Sequence, residues 1–218
     1  MSPADLSRSR LYGILDLGYV DAPEVERVAG QMIEGGVDLI QLRAKKHSVE
    51  EISTTAAALR SITRDAGIAL IINDHSEIAR AIQADGVHVG QDDPSIAEVR
   101  SVVGPNCVVG KSTHSLDQAI RAFYEGADYI GFGPIFHTPT KPDYQPVGLE
   151  EIHRVHEAVR IPIFCIGGIK LDNLPKLIEA GAQRVVIVSG LLQATDIAGY
   201  ARAVKDSLNR KSKFENQK

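Results

Sequence analysis

Two short stretches concentrate side chains able to bind ligands. In Gln41-Leu42-Arg43-Ala44-Lys45-Lys46, the residues Gln41, Arg43 and Lys45 fall at alternate positions. Along an extended chain, alternate side chains share one face. Two fixed cations on one face suit an anion: arginine offers a planar fork and lysine a point charge, a pairing fitted to phosphate oxygens. A solvated basic stretch that includes Lys46 is the plainer reading. The alternation with Gln41 favours the anion site. Farther along, Asp74 and Asp93 each follow a short apolar run. Two carboxylates brought together repel unless a cation joins them. Magnesium fits such a pair, because it takes one or two carboxylates and fills its other positions with water and phosphate oxygens. Either aspartate could instead cap a helix, and Pro94 after Asp93 is a good first helical residue.

A second, neutral anion site is legible near the end of the chain. Gly167, Gly168, Val188 and Ser189 stand where backbone N–H groups and a helix start could hold a phosphate monoester. The same glycines could simply relieve crowding at a tight turn. Thr138, Thr140 and Lys141 lie between the two sites in sequence, on a long proline-bearing stretch, Pro134–Pro146, that reads as a lid. His75, His114 and His137 are candidate acids or bases, each also readable as a hydrogen-bonding loop residue; His114 is the best placed.

These residues recur at one place in a repeating unit. Eight apolar runs read as strands: 11–17, 39–42, 68–72, 87–89, 107–109, 129–132, 162–166 and 185–188. They show little alternation, as strands buried on both faces should. Amphipathic stretches separate them, among them 23–34, 49–65, 116–125, 149–159, 171–179 and 196–208. Ser48 with Glu51, and Ser115 with Gln118, have capping-box spacing. Glycine-bearing turns such as Glu34-Gly35-Gly36-Val37-Asp38 lead back into the next strand. Eight β-α units in one sheet close most simply as a single (β/α)8 TIM barrel, whose chemistry sits at the carboxyl ends of the strands. A doubly wound open sheet is the alternative. No G-x-G-x-x-G follows the first run, which weakens its dinucleotide-binding version. The polar segments 1–9 and 210–218 are expected to fray.

Composition closes off other classes. The 218 residues carry 24 Lys+Arg and 28 Asp+Glu, a net charge of −4, which gives no electrostatic footprint for nucleic acid. There is no apolar run long enough to cross a membrane, and Met1–Arg10 has no apolar signal core. Two cysteines, Cys107 and Cys165, each inside an apolar run, read as reduced thiols of a cytoplasmic protein. A homo-oligomer is left open.

Taken in order, these segments resemble one family. Gln41-Leu42-Arg43-Ala44-Lys45, Ile72-Asn73-Asp74, Val87 through Asp93, Ser112-Thr113-His114, Gly131 through Phe136, Thr138-Pro139-Thr140-Lys141 and Ile166-Gly167-Gly168-Ile169 are similar to thiamine-phosphate synthases over about Leu11–Leu192. The resemblance implies joining a hydroxymethylpyrimidine diphosphate to a thiazole phosphate, with release of diphosphate. It implies that Gln41, Arg43, Lys45, Asn73, Ser112 and Lys141 hold the pyrimidine diphosphate, with Arg43, Lys141 and Ser112 as the catalytic set. Asp74 and Asp93 would bind Mg2+. Thr138, Pro139, Thr140, Gly168, Val188 and Ser189 would hold the thiazole phosphate. Three positions depart from the family pattern: Ala44 where glutamate is frequent, His75 where arginine is frequent, and Lys111 where a small apolar residue is common. Relatives that only aromatise the thiazole phosphate use a histidine near the end of the fifth strand, a part His114 could play. A phosphate-binding barrel without catalysis is a further alternative. A phosphosugar isomerase ranks last, because Lys45 has no clear carboxylate partner as base.

Overall fold

A parallel strand buried on both faces needs a neighbour on each edge and a helix over its outer side. The computed structural model, which describes residues 3–138 and 145–215, meets both needs by closure. Strands β1 (Leu11–Asp16), β2 (Leu39–Arg43), β3 (Ala69–Asn73), β4 (Gly86–Val89), β5 (Val108–Thr113), β6 (Tyr129–Phe132), β7 (Ile163–Cys165) and β8 (Val185–Ile187) pair in chain order into a closed barrel. Leu11 of β1 stands opposite Val185 of β8, which completes the ring. The expected (β/α)8 barrel is the observed fold, and the open sheet is excluded.

The helices among the described residues are α1 (Pro3–Arg8), α2 (Val25–Glu34), α3 (Val49–Asp65), α4 (Ser76–Ala81), α5 (Ile96–Val103), α6 (Leu116–Tyr124), α7 (Glu150–Ala158), α8 (Leu174–Glu179), α9 (Ser189–Leu192) and α10 (Ile197–Glu215). Ser48 and Glu51 form the expected capping box at α3. At α6, Ser115 accepts from the Gln118 N–H, but the Gln118 side chain turns to the His114 N–H instead. A further box, Ser95 with Glu98, starts α5. Asp93 is therefore not the cap of that helix.

Pleating divides the apolar residues into two layers. Tyr12, Leu39, Ile71, Val108, Tyr129, Phe164 and Val186 fill the barrel. Ile40, Leu42, Leu70, Val87, Val109, Ile130, Phe132 and Cys165 face the helices. The rings of Tyr12, Tyr129 and Phe164 meet edge to face, with centroids 5.4–6.0 Å apart. Gly110 makes room for them, since a Cβ there would lie 2.1 Å from the Tyr129 ring. Both thiols are free and buried, and burial pushes the Cys165 thiol up to about 12, so it stays protonated.

The turns at the amino ends of β2, β4 and β6 share one device. Asp38, Asp85 and Asp128 each accept a backbone N–H from the preceding strand, at Leu11, Leu70 and Val109. Each is also paired with a cation, Lys205, Arg60 and Arg100 respectively. These buried donors would otherwise be unsatisfied at the barrel's floor.

Residues 3–8 form α1, and Leu6, fully buried, packs among the interior residues as a plug in the floor. At the other end α10 runs on to Glu215. The fifth strand is also longer than its apolar run, because Lys111, Ser112 and Thr113 continue it. Lys111 faces outward to Glu125 at 3.6 Å, and Thr113 Oγ1 donates to the Gly131 carbonyl.

Leu6→Ala should lower the unfolding free energy by about 2–5 kcal/mol, the range for emptying a closed apolar site. Urea unfolding followed by circular dichroism checks it; an unchanged midpoint would show that α1 does not plug the barrel.

Candidate active site

Alternation carries the polar residues inward as each strand reaches its carboxyl end. Leu39 lies inside, so Gln41 and Arg43 do too; Ile71 leads to Asn73, Gly86 to His88, and Val108 to Ser112. Of these, Arg43 and Ser112 line a cavity of about 740 Å³, partly open to solvent, whose wall also includes Asp16, His114, Thr138, Gly168, Val188 and Ser189. Of the residues expected at the site, Arg43, Ser112, Thr138, Gly168, Val188 and Ser189 are thus gathered around one space. Gln41 sits deeper, 1% exposed, and donates to the Tyr12 hydroxyl at 2.6 Å. Asn73 ends β3 opposite His88. Pro139, Thr140 and Lys141 lie outside the described residues.

At the rim, Lys45 Nζ lies 2.7 Å from Asp74 Oδ2. Asp74 reaches this position through a left-handed backbone, φ +65°, while its N–H donates to the His88 carbonyl at 2.9 Å. Asp74 and Asp93 are within hydrogen-bonding reach of each other. Burial, helped by the Asp93 carboxylate, pushes Asp74 above the ordinary aspartate value against the pull of Lys45. Burial acts the same way on Asp93, but the Gly90 N–H, at 2.6 Å, together with Asp74 and Lys45, outweighs it and holds Asp93 below that value. Two carboxylates this close repel, so a further cation between them would be favoured. Their donor set is all oxygen. That suits magnesium, which completes its shell with water and phosphate, and no group of three or more His, Cys, Asp or Glu side chains among the described residues offers a fuller protein cage.

Asp16 was not legible as a site residue. It ends β1, 3% exposed, and its carboxylate accepts from both Arg43 Nη1 and the Gly18 N–H. It holds the guanidinium against the cavity wall. His88 is the second such residue, bonded on both ring nitrogens inside the barrel.

The opposite wall is backbone. Gly167 and Gly168 have φ of +98° and +66°, and a Cβ on Gly168 would lie 2.5 Å from the His137 carbonyl. Both glycines therefore relieve crowding and bring main chain to the cavity. Ser189 opens the one-turn α9, in which the Leu191 and Leu192 N–H groups donate to the Val188 carbonyl. His114 Nδ1 is bonded to the Gly133 carbonyl. A carbonyl only accepts, so the imidazole proton sits on Nδ1 and Nε2 is the basic nitrogen. His137 is exposed on the outer side of the Thr138 wall, and His75 precedes α4 without capping it.

A (β/α)8 barrel with polar residues gathered around a cavity at the carboxyl ends of its strands has the architecture of a barrel enzyme. A family model described as thiamine monophosphate synthase matches residues 11–191. The thiamine-phosphate synthase of Shouchella clausii is 42% identical over 204 residues, covering 93% of this chain and 98% of that one. That of Chloroflexus aurantiacus is 41% identical over 206 residues, covering 94% and 95%. Among solved structures, the thiamine phosphate pyrophosphorylase of Pyrococcus furiosus superposes with a TM-score of 0.86 at 32% identity, covering 94% of this chain and 98% of that one. The chain belongs to the thiamine monophosphate synthase family.

The raised Asp74 value has a sign that can be measured. A carboxyl whose folded pKa is raised contributes stability that is fullest at low pH and is lost as pH rises through that value. Without divalent cations, Asp74→Asn should therefore melt above the wild type at pH 7. The gap should close as pH falls below the ordinary aspartate value of about 3.9. Thermal melts in chelator across pH test this, and a variant melting lower at pH 7 would contradict the assigned balance of burial and pairing.

Proposed function

We propose that the cavity joins the 4-amino-2-methyl-5-(diphosphooxymethyl)pyrimidine to the 4-methyl-5-(2-phosphooxyethyl)thiazole, giving thiamine phosphate and diphosphate. The carrying observation is a cavity at the carboxyl ends of the strands that brings Arg43 and Ser112 together with Gly168, Val188 and Ser189; the Lys45–Asp74 pair, with Asp93 in reach of Asp74, stands past the ends of neighbouring strands. A charged wall and a neutral wall suit two differently charged phosphate groups in a single site.

The reaction breaks the bond between the pyrimidine methylene carbon and the diphosphate oxygen, whose electron pair leaves with the diphosphate. The electron-rich aminopyrimidine spreads the positive charge left on the methylene, so dissociation precedes attack. The thiazole nitrogen then gives its lone pair to that carbon. No protein nucleophile is needed. Arg43, oriented by Asp16, and Lys45 stabilise the charge growing on the leaving group, and Lys141 is assigned to the same task from its place in the sequence. Asp74 and Asp93 would hold Mg2+, which when bound supplies further charge neutralisation at the diphosphate. Gln41, Asn73 and Ser112 hold the pyrimidine half. Thr138, Pro139, Thr140, Gly168, Val188 and Ser189 hold the thiazole phosphate. Apolar walls at Ile14, Ile166 and Val186 keep out water that would quench the cation.

His114, with Nε2 as its basic nitrogen at the cavity, favours a second reading in which the barrel only aromatises the thiazole phosphate. That activity would need no metal and no pyrimidine, and would vanish in His114→Ala. We place the protein in the cytoplasm, consistent with its buried free thiols. No described helix is long and apolar enough to cross a membrane.

Purified protein given both phosphorylated precursors and Mg2+ should yield thiamine phosphate by mass spectrometry. Arg43→Ala and Asp93→Ala should each cut turnover on the order of a hundredfold, as loss of a charge-stabilising group does. Wild-type rates in either variant, or in chelator, would refute the mechanism. Magnesium at a hundredfold excess over its Kd should also stabilise the fold by about 2.7 kcal/mol. This increment should be absent in Asp93→Ala and should fade as pH falls and the carboxylates take up protons.

A further inference from the structure

A line of five side chains crosses the barrel interior beneath the cavity. Gln41 Nε2 donates to the Tyr12 hydroxyl at 2.6 Å, and the Tyr12 and Tyr129 hydroxyls are 3.1 Å apart. The Tyr129 hydroxyl lies 3.1 Å from His88 Nδ1, and His88 Nε2 lies 3.0 Å from Ser112 Oγ. Gln41, Tyr12 and Tyr129 are buried. Ser112, at the end of the line, faces the cavity.

The direction of these bonds follows from counting protons. The Gln41 amide nitrogen only donates, so the Tyr12 oxygen accepts and sends its own proton to Tyr129. Tyr129 in turn sends its proton to His88 Nδ1, which must be bare to receive it. The imidazole proton then sits on Nε2 and is donated to Ser112 Oγ. The Ser112 hydroxyl proton is thereby turned away from His88 and toward the cavity. Burial pushes both phenols above the ordinary tyrosine value, so they keep the protons this line requires. The reverse orientation of Gln41 would turn every bond round, put the imidazole proton on Nδ1 and make Ser112 an acceptor.

We propose that His88 is a positioning residue whose tautomer, fixed from Gln41 through Tyr12 and Tyr129, makes Ser112 a hydrogen-bond donor to the substrate. The pocket floor then selects a substrate with an acceptor atom at that point, such as an unprotonated ring nitrogen, and disfavours an isostere carrying N–H there. The substrate named here rests on the synthase reading above; the tautomer does not.

The test is nitrogen NMR on protein labelled with 15N-histidine, at a pH where free imidazole is neutral. The seven histidines are separated by comparison with His88→Gln. His88 should show a protonated Nε2 and a bare Nδ1, and Tyr129→Phe should shift it to a mixture of tautomers. A proton on Nδ1, an imidazolium, or a pattern unmoved in a folded Tyr129→Phe protein overturns the proposal. The wild-type spectrum decides even if the variant does not fold. In turnover, Tyr129→Phe should lower kcat/KM for the pyrimidine diphosphate about tenfold, the scale of one hydrogen bond, and leave KM for the thiazole phosphate unchanged. In a Ser112→Ala background it should cost nothing further, whereas additive losses would sink the relay. If no thiamine phosphate forms at all, the synthase reading fails, and the spectrum still decides the tautomer.

Discussion

The site depends on one constraint: polar side chains carried inside a closed parallel sheet must find partners there. Water does not supply them in a barrel filled by Tyr12, Leu39, Val108, Tyr129 and Phe164. Several inward polar groups are accordingly tied to one another. Asp16 holds Arg43, Gln41 meets Tyr12, and His88 joins Tyr129 to Ser112. A partly satisfied network of this kind would be worse than an apolar core, and a fully satisfied one fixes its members in place. The rigidity a reaction needs at the cavity is thus inherited from the requirement for burial.

Charge is handled differently at the rim, where solvent reaches the side chains. Lys45 is 47% exposed and Asp74 20%, against 5% for Asp16 beneath Arg43. An exposed ion pair is worth little in stability, so the Lys45–Asp74 pair adds little to the fold. Its value lies in keeping a cation and two carboxylates together at the mouth without locking them. On the proposed function, an incoming diphosphate and its dication would take over these contacts with little penalty. Arg43, by contrast, is anchored from below by a buried carboxylate and presents its remaining donors in one direction.

How much of this was legible follows from which signal each residue gave. The strands read well because a run such as Tyr129–Phe132 is apolar on both faces and ends at glycine and proline. The β5 strand read short because its second half is polar, although each polar group there has a partner: Lys111 with Glu125, Thr113 with Gly131, Ser112 with His88. Asp16 and His88 were hidden for the opposite reason, as single polar residues inside apolar runs. Only closure of the barrel fixes which face of those runs is inward. The floor helix was hidden too, since one leucine in a polar segment gives no periodicity, and Leu6 acts by depth rather than by pattern.

The three departures from the family pattern can be weighed by the same geometry. Lys111 alternates with Gly110 and Ser112, so it points outward, and its charge is met by Glu125 on the far side of the sheet from the cavity. Ala44 follows the inward Arg43 and is 7% exposed, packed with the outer apolar layer. A small side chain there lets the chain turn without competing for Arg43 or Lys45. His75 lies past the left-handed Asp74, with its N–H bonded to the Asn73 carbonyl, at the start of α4. None of the three stands on the inward face, so none alters the charge that faces the cavity. A departure at Asp16, Ser112 or His88 would be of another kind, because there a changed side chain would leave its partner buried and unpaired.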